Sequence, residues 1–426
     1  LPVSYKMKLF ALLAFVGLAA ASSYSFQELE NGVNGSPLKW QPGQEYIYSY
    51  SGRLLTGIPE LSLHHFSGIG IKCEVSLIVR SYNQVQLKIR DAKYSRVNQP
   101  MQPNSGDQKG HNWRFLELPS YSPIPSETQR ILEKPAFFEM SEMSGKVKSI
   151  RVSEDEPEWS VNFKKALVSI FQTGSVKPES SEMAKTVESK EPGSRRHAIP
   201  FVWTTFEQSP DGECETKYEM EEIPESMAQG AEGEKLITRP EMCPSSNEGE
   251  ETKLYQLTKV RNLDNCIRSS IYSFYKPGRF SCTRSGSGSC GSLWTRSSIT
   301  RYVVCGSPDR FVIQSIVNEG EINHEIMAFK TEKMLTGSRQ VLKLIRKSSV
   351  STSEGEESVS GTVEHSSLMY KYSKKEQQEL QKQSISDIDR NIIDFTGDER
   401  INKEEVIRKV KAIVMEIVNT DLFNPQ

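Results

Sequence analysis

The chain has 426 residues, enough for one large core or two domains, and a formal net charge of -2. That balance gives no global pull toward nucleic acid, so a charged partner has to be recognised locally. Common catalytic signatures are missing too: there is no P-loop, no H-E-x-x-H, no G-x-S-x-G and no dinucleotide glycine fingerprint, which argues against an enzyme.

Leu1 to Lys6 precede Met7 and read as leader. Lys8, the apolar run Leu9 to Ala21 and the Ala19-x-Ala21 site predict a secretory signal over residues 7–21. That run is too short to span a bilayer and no later one is long enough, so the expectation is a secreted, extracellular chain without a membrane span. Residues 22–39 form a polar tail carrying Asn34-Gly35-Ser36, an acceptor triplet for N-glycosylation. The seven cysteines then imply disulfides, with the odd one free or paired to another chain.

From Gln44 the pattern alternates. Tyr46, Tyr48 and Tyr50 share one strand face, Ile71, Cys73, Val75, Leu77 and Val79 another, and Val85, Leu87 and Ile89 return after a turn at Arg80 to Gln84. Cys73 falls on the apolar face and reads as a buried thiol. Gln99 to Pro125 reads as loop interrupted by Trp113 to Leu118, and Phe137 to Val152 as strand.

Glu158 to Gln172 is the one strongly helical stretch of this region. Trp159, Phe163, Ala166, Leu167, Ile170 and Phe171 fall on a single broad face, with Lys164 and Lys165 off it. Pro157 suits a first turn, and Glu154, Asp155 and Glu156 put negative charge near the amino end. A lone amphipathic helix among strands needs a surface to bury against, which predicts a mainly β fold: a barrel-like antiparallel sheet wrapped round one central α-helix.

Thr173 to Arg196 reads as a polar loop, Phe201 to Phe206 as strand, and Glu213 to Glu251, dense in glutamate, as a solvated insertion. Lys259, Arg261, Arg268, Lys276, Arg279, Arg284, Arg296 and Arg301 then face Asp264 alone. They predict either a positive patch for an acidic partner or solvated faces scattered round the barrel. Phe311 to Val317, Glu321 to Phe329 and Val341 to Ile345 are the last strand candidates, closing a β domain over residues 40–346. Residues 347–400 read as a Ser/Glu-rich linker in which Ser351 and Ser353 each precede a glutamate by three and suit acidophilic phosphorylation. In 401–426, Val406, Val410, Ile413, Val414 and Ile417 form a helical stripe, the expected start of an α-helical domain.

Several motifs in this order resemble the amino-terminal module of vitellogenins, of the large lipid transfer protein superfamily. They are Trp40-Gln41-Pro42-Gly43, Gly68 to Val75, Ala92 to Val97, the EDEPEW lead into the helix, Gly212-Glu213-Cys214, Leu254 to Cys266 and Trp294 to Thr300. The resemblance implies a lipid-transporting yolk precursor taken up by a lipoprotein-receptor-type oocyte receptor. Lipid would be cargo held by downstream domains; no cofactor, metal or nucleic acid is implied, and homo-oligomer formation is left open. It places a receptor-contact strand on Leu257, Thr258, Lys259, Arg261 and Leu263, with the two cations protruding toward acidic receptor loops. It also implies a Cys214–Cys266 bridge. Cys290 with Cys305 is the weaker second pair, leaving Cys243 and Cys282 open. Competing readings are another carrier of the superfamily, of apolipophorin or triglyceride-transfer type, and a polyanion-binding adhesion or defence module.

Overall fold

The computed structural model describes residues 40–57, 65–100, 114, 118, 120–141, 144–174, 201–228, 243, 253–269, 294–308, 310–325, 333–350 and 361–371. The signal, the tail with Asn34, Ser351 and Ser353, Cys282, Cys290, and the segment 401–426 lie outside them.

Most of the described chain is one antiparallel sheet. Its strands are β1 (Gln44–Gly57), β2 (His65–Val79), β3 (Gln84–Pro100), β4 (Ser122–Pro123), β5 (Ala136–Met140), β6 (Val147–Ser153), β7 (Phe201–Ser209), β8 (Gly212–Ile223), β9 (Lys253–Ser269), β10 (Trp294–Ser307), β11 (Arg310–Glu325), β12 (Lys333–Ser349) and β13 (Thr362–His365). The order is β13-β6-β5-β3-β2-β1-β12-β11-β10-β9-β8-β7, with β4 off the path on β3. Among the described residues β13 and β7 are therefore edges, and the expected barrel is not closed by backbone pairing.

Strand alternation accounts for one face of the sheet. Tyr46, Tyr48 and Tyr50 point inward with Ile71, Val75, Leu77, Leu87 and Ile89, all buried in one core, and Cys73 joins them as a free thiol. Against that face lies α2 (Glu158–Phe171), preceded in the chain by a short helix, α1 (Ser126–Leu132). The α1 segment falls in none of the predicted elements, since its seven residues are too few for a helical period to stand out.

Phe171 is the centre of the packing. Its ring meets Trp40 edge-on at 5.9 Å and Tyr48 at 5.1 Å, while Phe163 meets Tyr50 at 5.9 Å. Such aromatic pairs add about 0.5–1.5 kcal/mol each beyond burial. The helix is buried nearly all round, not on one face. Ala166, counted on the apolar stripe, is half-buried, whereas Lys164 and Lys165, off it, are buried completely. Burial of those ammonium groups is made tolerable by partners: Lys164 Nζ donates to Glu156 at 2.5 Å and to the Lys134 carbonyl at 2.6 Å, and Lys165 Nζ to the Met369 carbonyl at 3.0 Å.

Three further expectations are corrected. Glu213 to Ile223 is not a solvated insertion but most of β8, an interior strand whose Cys214, Thr216, Tyr218 and Met220 alternate inward while Glu219 and Glu221 face water. Density of glutamate hid the period of two. The strands read separately at Phe311 to Val317 and Glu321 to Phe329 are one as far as Glu325, β11, because Gly320 pairs in register with Ser298 and Ser338 without a break; 326–329 lie outside the described residues. Part of the predicted 347–400 linker folds back, with β13 pairing β6 and Leu368 buried in the main core.

Candidate functional site

The strand singled out by sequence, β9, lies between β8 and β10, and its alternation decides which side chains an outside partner could reach. Leu257 and Lys259 are 0% and 1% exposed, and the Arg261 side chain 7%. Thr258 and Leu263 are half-buried, whereas Val260 and Asn262 on the opposite face are exposed. Lys259 and Arg261 thus do not protrude. They share the inward face with Leu257, since residues two apart on a strand point the same way.

The partners that hold these cations come from strands that sequence reasoning did not connect. Lys259 Nζ forms an ion pair with Glu207 on β7 and donates to the Gln172 carbonyl at the end of α2, at 2.9 Å. Arg261 approaches Glu207 at 3.5 Å and Asp211, in the β7–β8 turn, at 3.9 Å. Tyr218 donates its hydroxyl to Glu207, stacks on Trp203 at 5.0 Å, and sits 5.7 Å from Lys259 Nζ. A signal for Glu207 existed: Trp203-x-Thr205-x-Glu207 puts a carboxylate on a face with an indole, a position that demands a buried cation.

Electrostatics follow from this crowding. Burial alone would raise Glu207, but Lys259 and Arg261 beside it prevail and hold its carboxyl below the usual range. Burial lowers Lys259 to about 8 against the pull of Glu207, so it stays charged at pH 7. Asp211 is raised to about 6 by burial, with Arg261 and Arg296 opposing.

The unfolded chain would release the Asp211 proton near pH 3.9. Between there and about 6 the folded state holds more protons, so acidification through this window adds stability through Asp211 and raising the pH removes it. Comparing Asp211→Asn with the unaltered chain isolates the group. The stability difference should shift by about 2 kcal/mol in favour of the unaltered chain between pH 7.5 and 4.5 in urea titrations, and a pH-independent difference would refute the assignment.

Gln172 links β6, next to one edge of the sheet, to β7 at the other. Its side chain accepts from Val147 N on β6 at 2.7 Å and donates to the Gln208 carbonyl on β7 at 2.9 Å. Cys214 and Cys266 are bonded at 2.05 Å across β8 and β9, at a sequence separation of 52. Closing a loop of that length is worth about 4 kcal/mol in the chain-entropy account. The second pair differs from expectation: Cys305 is bonded to Cys243, not Cys290. Cys305 sits on β10 with its side chain in the core, and Cys243 is buried beside it.

Of the cations in the positive patch predicted between Lys259 and Arg301, Lys276, Arg279 and Arg284 lie outside the described residues, and the five described ones each have an acidic partner. Besides the two buried cations, Arg268 lies 3.9 Å from Glu213, Arg296 3.8 Å from Asp264, and Arg301 3.1 Å from Glu319. Exposed cations are found elsewhere too: Lys72 on β2 and Lys93 on β3 are exposed and register partners, whereas Arg90 on β3 lies 3.4 Å from Glu45.

Comparison with known proteins places this architecture. The family described as vitellogenin N-terminal domain matches residues 40–352. A vitellogenin of Anthonomus grandis is 25% identical over 290 residues, 68% of this chain and 15% of its own length. Vitellogenin-6 of Caenorhabditis elegans is 27% identical over 223 residues, 51% of this chain and 12% of its own. The chain therefore spans only a small part of these relatives. A solved structure titled "Lipid-protein interactions in lipovitellin" shares the fold, with a TM-score of 0.50 at 18% identity, over 79% of this chain and 28% of that one.

Proposed function

The chain belongs to the vitellogenin N-terminal domain family, and on that premise we propose that it is the amino-terminal module of a secreted yolk precursor that transports lipid and stores nutrient. The observation carrying this reading is the family match across residues 40–352, nearly all of the described sheet. The Cys214–Cys266 and Cys243–Cys305 bridges suit an oxidising, extracellular setting. The inner face of the sheet packs on α2 and aromatic side chains, so lipid cargo is assigned to parts of the protein that follow.

Receptor contact is the module's own part in this reading, with Lys259 and Arg261 reassigned to structure. An acidic, calcium-caged receptor loop requires accessible ammonium or guanidinium groups. Lys72 and Lys93 offer ammonium groups on adjacent strands, Lys72 additionally braced 4.4 Å above the Tyr121 ring.

The test is a pull-down on an oocyte lipoprotein-type receptor with Lys72→Glu/Lys93→Glu. Binding should weaken by about tenfold or more, as expected for reversing two rim charges. Unchanged receptor binding removes this surface. Salt-sensitive heparin binding without receptor binding would favour the polyanion-binding module instead.

A further inference from the structure

The sheet's two ends come near α2 without pairing with each other among the described residues. β6 is flanked by β5 and β13, and β7 by β8 alone. The strip between them is crossed by residues 361–371, which follow the Ser/Glu-rich stretch and lie beyond the family match that stops at 352.

Every part of this short segment is held. Thr362 to His365 pair antiparallel with Ile150 to Ser153, and Glu154 N donates to the Gly361 carbonyl at 2.9 Å. Next, Leu368 N donates to the Gln208 side chain at 3.3 Å and Tyr370 N to the Pro210 carbonyl at 3.3 Å, both at the β7–β8 corner. The helix contributes a third line. Lys165 Nζ donates to the Met369 carbonyl, while the Asn162 amide donates to the Lys371 carbonyl at 2.7 Å and accepts from Lys371 N at 3.1 Å. The Leu368 side chain is 1% exposed, within the main core.

This is how a peptide is recognised: strand addition at an edge, a two-point amide clamp on the main chain, and one apolar anchor in the core. We propose that the groove between β6, α2 and the β7–β8 corner is a peptide-binding site whose occupant is the chain's own residues 361–371, a noncovalent clasp between the module and whatever follows it. All seven cysteines of residues 1–426 precede Gly306, so within this sequence no disulfide ties residues 361–371 to the module. If the chain is broken between 351 and 360, the clasp is what holds the downstream piece to the module among the described residues.

Placing a protease recognition sequence between Ser353 and Ser358 of the full chain, and cutting it, tests this. At about 1 μM the two pieces should co-elute in size-exclusion chromatography, and Leu368→Asp, a change on the clasp side only, should speed their separation by about tenfold or more. A synthetic peptide spanning 361–371, added in excess to the cut unaltered chain, should displace the downstream piece, whereas a scrambled peptide should not. Separation of the unaltered pieces on cutting, indifference to Leu368→Asp, or failure of the peptide to displace would each overturn the proposal.

Discussion

Glu207→Ala is expected to destabilise the chain by about 3–5 kcal/mol, because it leaves buried cations without their counter-charge. Glu207 is fully buried and faces Lys259, Arg261 and the Tyr218 hydroxyl together. Among the described residues, removing it leaves the Lys259 ammonium the Gln172 carbonyl and the Tyr218 ring, and Arg261 the more distant Asp211. Lys259→Met should cost less, since Arg261 still compensates Glu207 and the methionine fills much of the lysine's volume. The pair Glu207→Leu/Lys259→Met should recover a large part of the single Glu207 loss, a coupling of about 1–3 kcal/mol. Urea midpoints at constant m value measure all three. A Glu207→Ala chain as stable as the unaltered one would mean that water reaches the cluster. The result bears on receptor experiments as well: weakened uptake by a chain lacking Lys259 reports on the fold until its stability has been measured.

The sequence made some of this legible for physical reasons that also explain the failures. Tyr46, Tyr48 and Tyr50 were readable because a half-buried strand shows its period in the chain itself, and Phe163 and Phe171 because a helix does likewise. Burial of Lys164 and Lys165 is not legible in the helical period because it depends on Glu156 and the carbonyls of Lys134 and Met369, the last 204 residues from Lys165. Lys259 failed in the same manner. A basic strand next to an acidic stretch looks like surface until pairing brings Glu207 under it. Residues 361–371 look like linker in the sequence because their anchoring resides in partners, Asn162, Gln208 and Pro210, and hardly at all in their own composition. Periodicity is local information, whereas the satisfaction of buried polar groups is not.

Phe171→Ala should cost about 3–5 kcal/mol, the range for deleting a large aromatic from a core that cannot collapse into the space. Rigidity of the surroundings sets the upper end. Trp40 and Tyr48 meet the ring from two sides, and Tyr48 is fixed by its hydroxyl bond to the Ile313 carbonyl at 3.0 Å. Just before it, Ile170 is pinned through its carbonyl by Tyr302 at 2.8 Å, and just after it Gln172 spans β6 and β7. Neither the helix nor the strands can therefore shift to fill the void without breaking buried hydrogen bonds. Ala166→Ser, on the same helix at a half-buried position, should change stability by less than about 1 kcal/mol and controls for helix propensity. Should Phe171→Ala cost no more than Ala166→Ser in thermal or urea unfolding, α2 could not be the element on which the sheet packs, and the central role given to it would fall.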